Sequence, residues 1–111
     1  MRSVIITGGF GVLGRAVAEA FREGGDRIAR IDFAPTAADE NPGGLDLGGV
    51  DLTEAAQAEA AVERVRAEFG GIDVLVNVAG GFVWETLDDG GPATWAKMFA
   101  MNATTCVTMT K

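Results

Sequence analysis

The sequence predicts an α/β fold: a doubly wound parallel sheet in a three-layer α/β/α arrangement. Three observations predict it. Short apolar runs alternate with stretches of helical periodicity in the order β-α-β-loop-β-α-β-α, which implies parallel strands joined by right-handed crossovers. The first strand runs directly into a glycine-rich turn that opens a helix, a junction built to meet a phosphate. The 111 residues are 48% hydrophobic with 16 glycines, enough for a core and many tight turns but for no more than one domain, residues 1–111. The expected spatial order of the strands is 3-2-1-4.

Each element has its own signal. Ser3 to Thr7 is short, apolar and ended by glycine, as a buried parallel strand should be. Leu13, Ala16, Val17, Ala20 and Phe21 then recur at helical spacing, with Arg15, Glu19, Arg22 and Glu23 on the other face. Gly24-Gly25 ends that helix. Arg27 to Asp32 is a second strand with Ile28 and Ile31 as apolar positions, and Phe33 to Gly44, with Pro35 and Pro42, is a loop with room for one helical turn. Leu45 to Val50 is a weaker third strand, interrupted by Gly48-Gly49.

An Ala-rich helix follows, with Ala55, Ala58, Val62, Val65 and Phe69 as its seam and Gly70-Gly71 as its stop. Ile72 to Asn77 is a strongly apolar fourth strand, Val78 to Ala93 a Gly-rich loop, and Thr94 to Thr110 a last helix carrying Trp95, Met98, Phe99, Met101, Cys106 and Met109. No later segment covers the outer edge of the fourth strand, and an uncovered apolar edge invites association. The expectation is a fold truncated after that strand and its helix, halfway through a larger domain.

Charge and composition exclude several function classes. A net charge of −7 argues against nucleic acid, which needs a basic face, and against an anionic membrane surface. With no His and one Cys, Cys106, neither an internal disulfide nor a zinc site is expected. No secretory h-region follows Met1 and no run reaches the length of a membrane span, so the chain is expected in the cytoplasm. There is also no Tyr, so the usual proton-transfer side chains are largely missing.

The chemistry lies at the strand ends. Thr7-Gly8-Gly9-Phe10-Gly11-Val12-Leu13-Gly14 is the glycine turn, whose backbone N–H groups and helix N-terminus suit a pyrophosphate. Asp32 closes the second strand 18 residues after Gly14, where a carboxylate can accept hydrogen bonds from both ribose hydroxyls and repel a 2′-phosphate. NAD is therefore favoured over NADP, while Arg15 and Arg30, the nearby basic residues, leave NADP open. Asp51-Leu52 is placed to meet an adenine edge and face, and Asp51 or Thr53 is equally placed to cap the Ala-rich helix. Asn77-Val78-Ala79-Gly80 ends the fourth strand at the crevice where such sheets bind ligands. Asn102, a mediocre helix former inside a helix, either is exposed or bends the helix and holds a water. Trp84 and Phe82 either line a pocket wall or pack.

Together these motifs resemble the N-terminal half of a classical short-chain dehydrogenase/reductase, along the whole chain from Ser3 onward. The family pattern Thr-Gly-x-x-x-Gly/Ala-x-Gly matches at Thr7, Gly8 and Gly14, and its Asn-Asn-Ala-Gly stretch at Asn77, Ala79 and Gly80. The resemblance identifies Asp32 with the acidic NAD-selecting residue, Asp51-Leu52 with the adenine contact, and Asn102 with the helical active-site Asn. It implies a Rossmann-type fold, hydride transfer between an alcohol or carbonyl substrate and NAD(P), and a homo-oligomer, dimer or tetramer. Two departures stand out: Val12 where the family has Gly or Ala, and Val78 in place of the second Asn. The family's Ser and Tyr-x-x-x-Lys residues have no counterpart in these 111 residues, which leaves Asn102 as the one catalytic position. The alternatives to a dehydrogenase half are a non-catalytic NAD-binding module and an inactive truncated product.

Overall fold

The computed structural model describes residues 1–80, 92–99, 103 and 105–110. Its elements are β1 (Ser3–Thr7), α1 (Val12–Glu23), β2 (Arg27–Ile31), β3 (Leu45–Leu47), α2 (Ala55–Phe69), β4 (Val74–Asn77), α3 (Pro92–Phe99) and α4 (Thr105–Thr110). The strands form one parallel sheet in the order β3-β2-β1-β4, as the βαβ alternation predicts. The register pairs Thr7 with Ile31 on one side and with Asn77 on the other, so the ends of β1, β2 and β4 are level. That alignment brings the glycine turn, Asp32 and Asn77-Val78 to one rim of the sheet.

β1 is buried along its full length because it is covered on both faces. Val4 and Ile6 join Ile28 and Ala18 in a core under α1. Ile5 joins Ala29, Ile31, Ala58, Val65 and Met109 in a second core under α2 and α4. These two cores are the interfaces of a three-layer α/β/α sandwich.

Several elements differ in detail from the sequence expectation. The inward face of α1 consists of the buried Gly14 and Ala18 with the half-buried Val17 and Phe21 that the spacing predicts, whereas Leu13, Ala16 and Ala20 are exposed. At Gly14 the helix lies directly against the backbone of the Gly8-Gly9 turn. In α2, Ala61 is buried and Ala55 exposed. β3 stops at Leu47, because Gly48 lies against the Pro35 carbonyl, where an added Cβ would come within 2.0 Å, and Gly49 has φ of +69°. The loop 33–44 forms no helical turn. The last helical region begins at Pro92, two residues early, a position that suits proline in a first turn. Asn102, Trp84 and Phe82 lie outside the described residues.

Candidate active site

The glycine turn is shaped by what its missing side chains would strike. Gly8 has φ of +67°, and a Cβ there would come within 2.9 Å of the Ala79 backbone. A Cβ on Gly14 would lie 2.1 Å from the Gly8 carbonyl oxygen, so the helix and the turn touch backbone to backbone. Gly9 rests on Arg30, whose Cβ would be 2.6 Å from an added Cβ. Gly11 is the N-cap of α1 and offers no side-chain cap, and no acidic residue occupies the first turn. The N–H groups of Val12, Leu13 and Gly14 consequently have no intrahelical acceptor, which makes this end a site for an anion. Val12 is 80% and Leu13 64% exposed, so the β-branched side chain at position 12 is not packed into the turn.

Beneath the turn, the buried Thr7 hydroxyl accepts hydrogen bonds from the N–H groups of Val78 (3.2 Å) and Ala79 (3.1 Å). It ties β1 to the end of β4 through the backbone, and no Asn at position 78 is needed for this link. The Val78 side chain packs into the core under α1 instead.

Asp32 sits just past β2 with both carboxylate oxygens engaged. Oδ2 accepts from the Phe10 N–H at 2.9 Å and Oδ1 from the Ala34 N–H at 3.0 Å. Each oxygen keeps a lone pair for a further donor. Asp51 accepts from the Thr53 N–H (3.0 Å) and hydroxyl (2.6 Å), and these bonds hold its carboxyl below the usual aspartate range. Neither residue caps α2: the N-cap is Glu54, without a side-chain bond, and Gln57 Oε1 accepts from the Asp51 N–H. Asp51 is thus preoriented as an acceptor, one helical turn away from the capping role that the sequence also allowed.

These groups surround one cleft of about 670 Å³, within the usual range for a small-molecule site. Its lining brings together Gly8, Gly11, Val12, Leu13 and Gly14 of the turn and helix start, Asp32, Asp51 and Leu52 after the second and third strands, and Val78, Ala79 and Gly80 after the fourth. Thr7, Gly9, Phe10 and Asn77 do not line it. Thr7 and Phe10 bond to residues that do line it, and the exposed Asn77 donates to Thr110 Oγ1 at 3.5 Å. Phe33, Val50 and Thr105 line the cleft although sequence reasoning did not select them. Phe33 carried a signal in its place after Asp32 and is 73% exposed.

Arg30 differs from its sequence expectation. It is fully buried and absent from the cleft wall, so it is not offered to a phosphate. Its Nε and Nη2 grip both oxygens of Asp46 (2.8 and 2.7 Å) and its Nη1 donates to Asp39 (2.8 Å), which raises the guanidinium pKa further. Of the two basic residues, Arg15 alone stays near the surface, its Nε 3.4 Å from the Gly11 carbonyl. No group of three or more His, Cys, Asp or Glu placed to hold a metal occurs among the described residues, and none of their helices is long and apolar enough to cross a membrane.

Comparison with known proteins identifies the family of the chain. The family model for short chain dehydrogenase matches residues 2–111. The chain is 38% identical over 85 residues to D-threitol dehydrogenase of Mycolicibacterium smegmatis, covering 68% of this chain and 32% of that protein. It is 32% identical over 108 residues to 2-(S)-hydroxypropyl-CoM dehydrogenase 3 of Xanthobacter autotrophicus, covering 91% and 42%. Among solved structures, the 3-ketoacyl-(acyl-carrier-protein) reductase of Brucella melitensis complexed with NADH superposes with a TM-score of 0.85 at 25% identity, over 98% of this chain and 47% of that one. The ligand-free aldohexose dehydrogenase of Thermoplasma acidophilum, at 24% identity, shares the fold with a TM-score of 0.88 over 98% and 41%. The chain spans less than half the length of each of these relatives. With its model matched from residue 2 to residue 111 and the same fold in solved relatives, the chain belongs to the short-chain dehydrogenase family.

Proposed function

We propose that this chain supplies the dinucleotide-binding half of an oxidoreductase that moves hydride between an alcohol or carbonyl substrate and a nicotinamide cofactor, with NAD preferred over NADP. The observation that carries the reading is the convergence, in one cleft, of an uncapped helix N-terminus and a carboxylate with a free lone pair on each oxygen. In this reading the N–H groups of Val12, Leu13 and Gly14 hold the pyrophosphate. Asp32 accepts from the ribose diol, and Asp51 and Leu52 meet the adenine. The cofactor supplies the hydride chemistry; the described residues bind and orient it. Asn102 is the position proposed at the reaction centre. Burial of Arg30 strengthens the preference for NAD, because it removes one of the two cations able to answer a 2′-phosphate. Assembly into a dimer or tetramer belongs to the same proposal; Phe99, 67% exposed on α3, is an apolar side chain such an interface would cover.

Titration of the chain with NADH, followed by nicotinamide fluorescence, tests the reading. Saturable binding that weakens about 10- to 100-fold in Asp32→Ala is expected, the cost of charge-assisted hydrogen bonds to the diol. Equal affinity of Asp32→Ala and the parent chain for NADH overturns it.

A further inference from the structure

Arg30 is the largest fully buried side chain among the described residues, and it stands in β2 between the buried Ala29 and Ile31. A charge in such a place needs partners. Their positions are informative. Asp46 faces Arg30 across the β2–β3 pair and takes a bidentate bond. Asp39 belongs to the 33–44 loop and accepts through both its carboxylate (2.8 Å) and its carbonyl (3.3 Å). On its other side the guanidinium lies 5.5 Å from the centre of the Phe10 ring, and the Arg30 Cβ supports Gly9.

Both segments that Arg30 anchors lead to Asp32. Phe10 donates its N–H to Asp32 Oδ2. Ala34, at the start of the loop that Asp39 closes, donates to Asp32 Oδ1. The loop is fastened further by Asn41, which donates to the Ile28 carbonyl (2.9 Å) and Asp46 (3.0 Å) and accepts from Arg22 (2.7 Å). The two donors that set the rotation of the Asp32 carboxylate therefore come from two separate pieces of chain, and one buried side chain holds both.

We infer that Arg30 is a positioning residue for cofactor selectivity: by clamping the Gly9-Phe10 turn and the 33–44 loop together, it fixes the orientation in which Asp32 accepts from a ribose diol and repels a 2′-phosphate. This rests on the dinucleotide reading above. Arg30 does not touch the cofactor; it acts through the Phe10 and Ala34 amides.

Selectivity separates this role from a purely structural one. A variant that only lowers the folded fraction weakens NADH and NADPH binding by the same factor and leaves their ratio unchanged. The test is fluorescence titration of the full chain with NADH and NADPH for the parent, Arg30→Met and Asp39→Asn, with circular dichroism to verify folding. The parent is expected to prefer NADH. Arg30→Met, which keeps the aliphatic stem but loses the guanidinium that joins the two segments, should shrink the preference about tenfold, and Asp39→Asn, which loosens the loop alone by removing its charge, about threefold. Folded variants that bind NADH with the parental ratio overturn the inference and leave the cofactor reading standing. If Arg30→Met does not fold, an unchanged ratio in Asp39→Asn overturns it alone. A parent chain that binds neither dinucleotide overturns the cofactor reading itself.

Discussion

Gly14→Ala tests the tightest contact in the site. An alanine Cβ there would sit 2.1 Å from the Gly8 carbonyl oxygen and 2.7 Å from the Gly9 Cα. Both are backbone atoms, so no side-chain rotation relieves the clash, and helix and turn must separate by about 1 Å to restore ordinary contact. Forced separation in packed structure costs about 3 kcal/mol at the upper end of overpacking, while replacing a helical glycine returns about 1 kcal/mol. The net loss is about 2 kcal/mol, which in a domain of this size lowers the melting temperature by about 10 °C. Binding should suffer more than stability, because the displaced N–H groups are those proposed to hold the pyrophosphate, and a shift of about 1 Å in positioning groups can cost about 100-fold. Thermal unfolding by circular dichroism and NADH titration below the transition read the two effects. Gly71→Ala is the control: its Cβ meets nothing within 4 Å, and its stability should stay within about 0.5 kcal/mol of the parent. If Gly14→Ala melts with the parent, backbone contact between α1 and the turn does not shape this site.

Thr7→Val keeps the shape of a fully buried side chain but leaves the Val78 and Ala79 amides without their acceptor. Urea denaturation should show a loss of about 1–3 kcal/mol, largely restored in Thr7→Ser. The Arg30 guanidinium holds the Asp39 carboxyl below its ordinary value of 3.8. The folded pKa lies below the unfolded one, so the contribution of Asp39 is present above about pH 4 and disappears as pH falls through the folded value. Asp39→Asn should accordingly lower the urea midpoint at pH 7, and the gap to the parent should narrow as pH is lowered below 3.8; a gap that stays constant contradicts this linkage. Ile5→Ala empties the centre of the core under α2 and should cost about 2–5 kcal/mol, read by the same denaturation.

Much of the architecture was legible from local signals. Alternating apolar runs and helical stretches imply parallel strands and a single strand order, because right-handed crossovers leave few alternatives. The glycine turn and Asp32 were legible because a close backbone approach and a strand-end carboxylate each demand particular residue types at particular spacings. Helix rotation was not. Leu13, Ala16 and Ala20 have the same periodicity as the inward face, and the structure instead places Gly14 against the Gly8 carbonyl. Hydrophobicity ranks a glycine below its apolar neighbours, although here it makes the closest approach.

Arg30 shows the same division. Its sequence position beside Asp32 suggested a cation available to phosphate, and charge alone could say no more. Its partners Asp39 and Asp46 lie 9 and 16 residues away, and folding of the 33–44 loop and the β2–β3 pairing bring them to it. Likewise the Thr7 hydroxyl meets amides 71 and 72 residues distant, a tie no local pattern encodes. The sequence by itself determined the fold class, the strand order and the rim where the glycine turn and Asp32 meet, since these follow from periodicity and backbone sterics. The tertiary structure alone decided which charges are spent on one another and which remain for a ligand, since a buried ion pair depends on contacts between residues far apart in the chain.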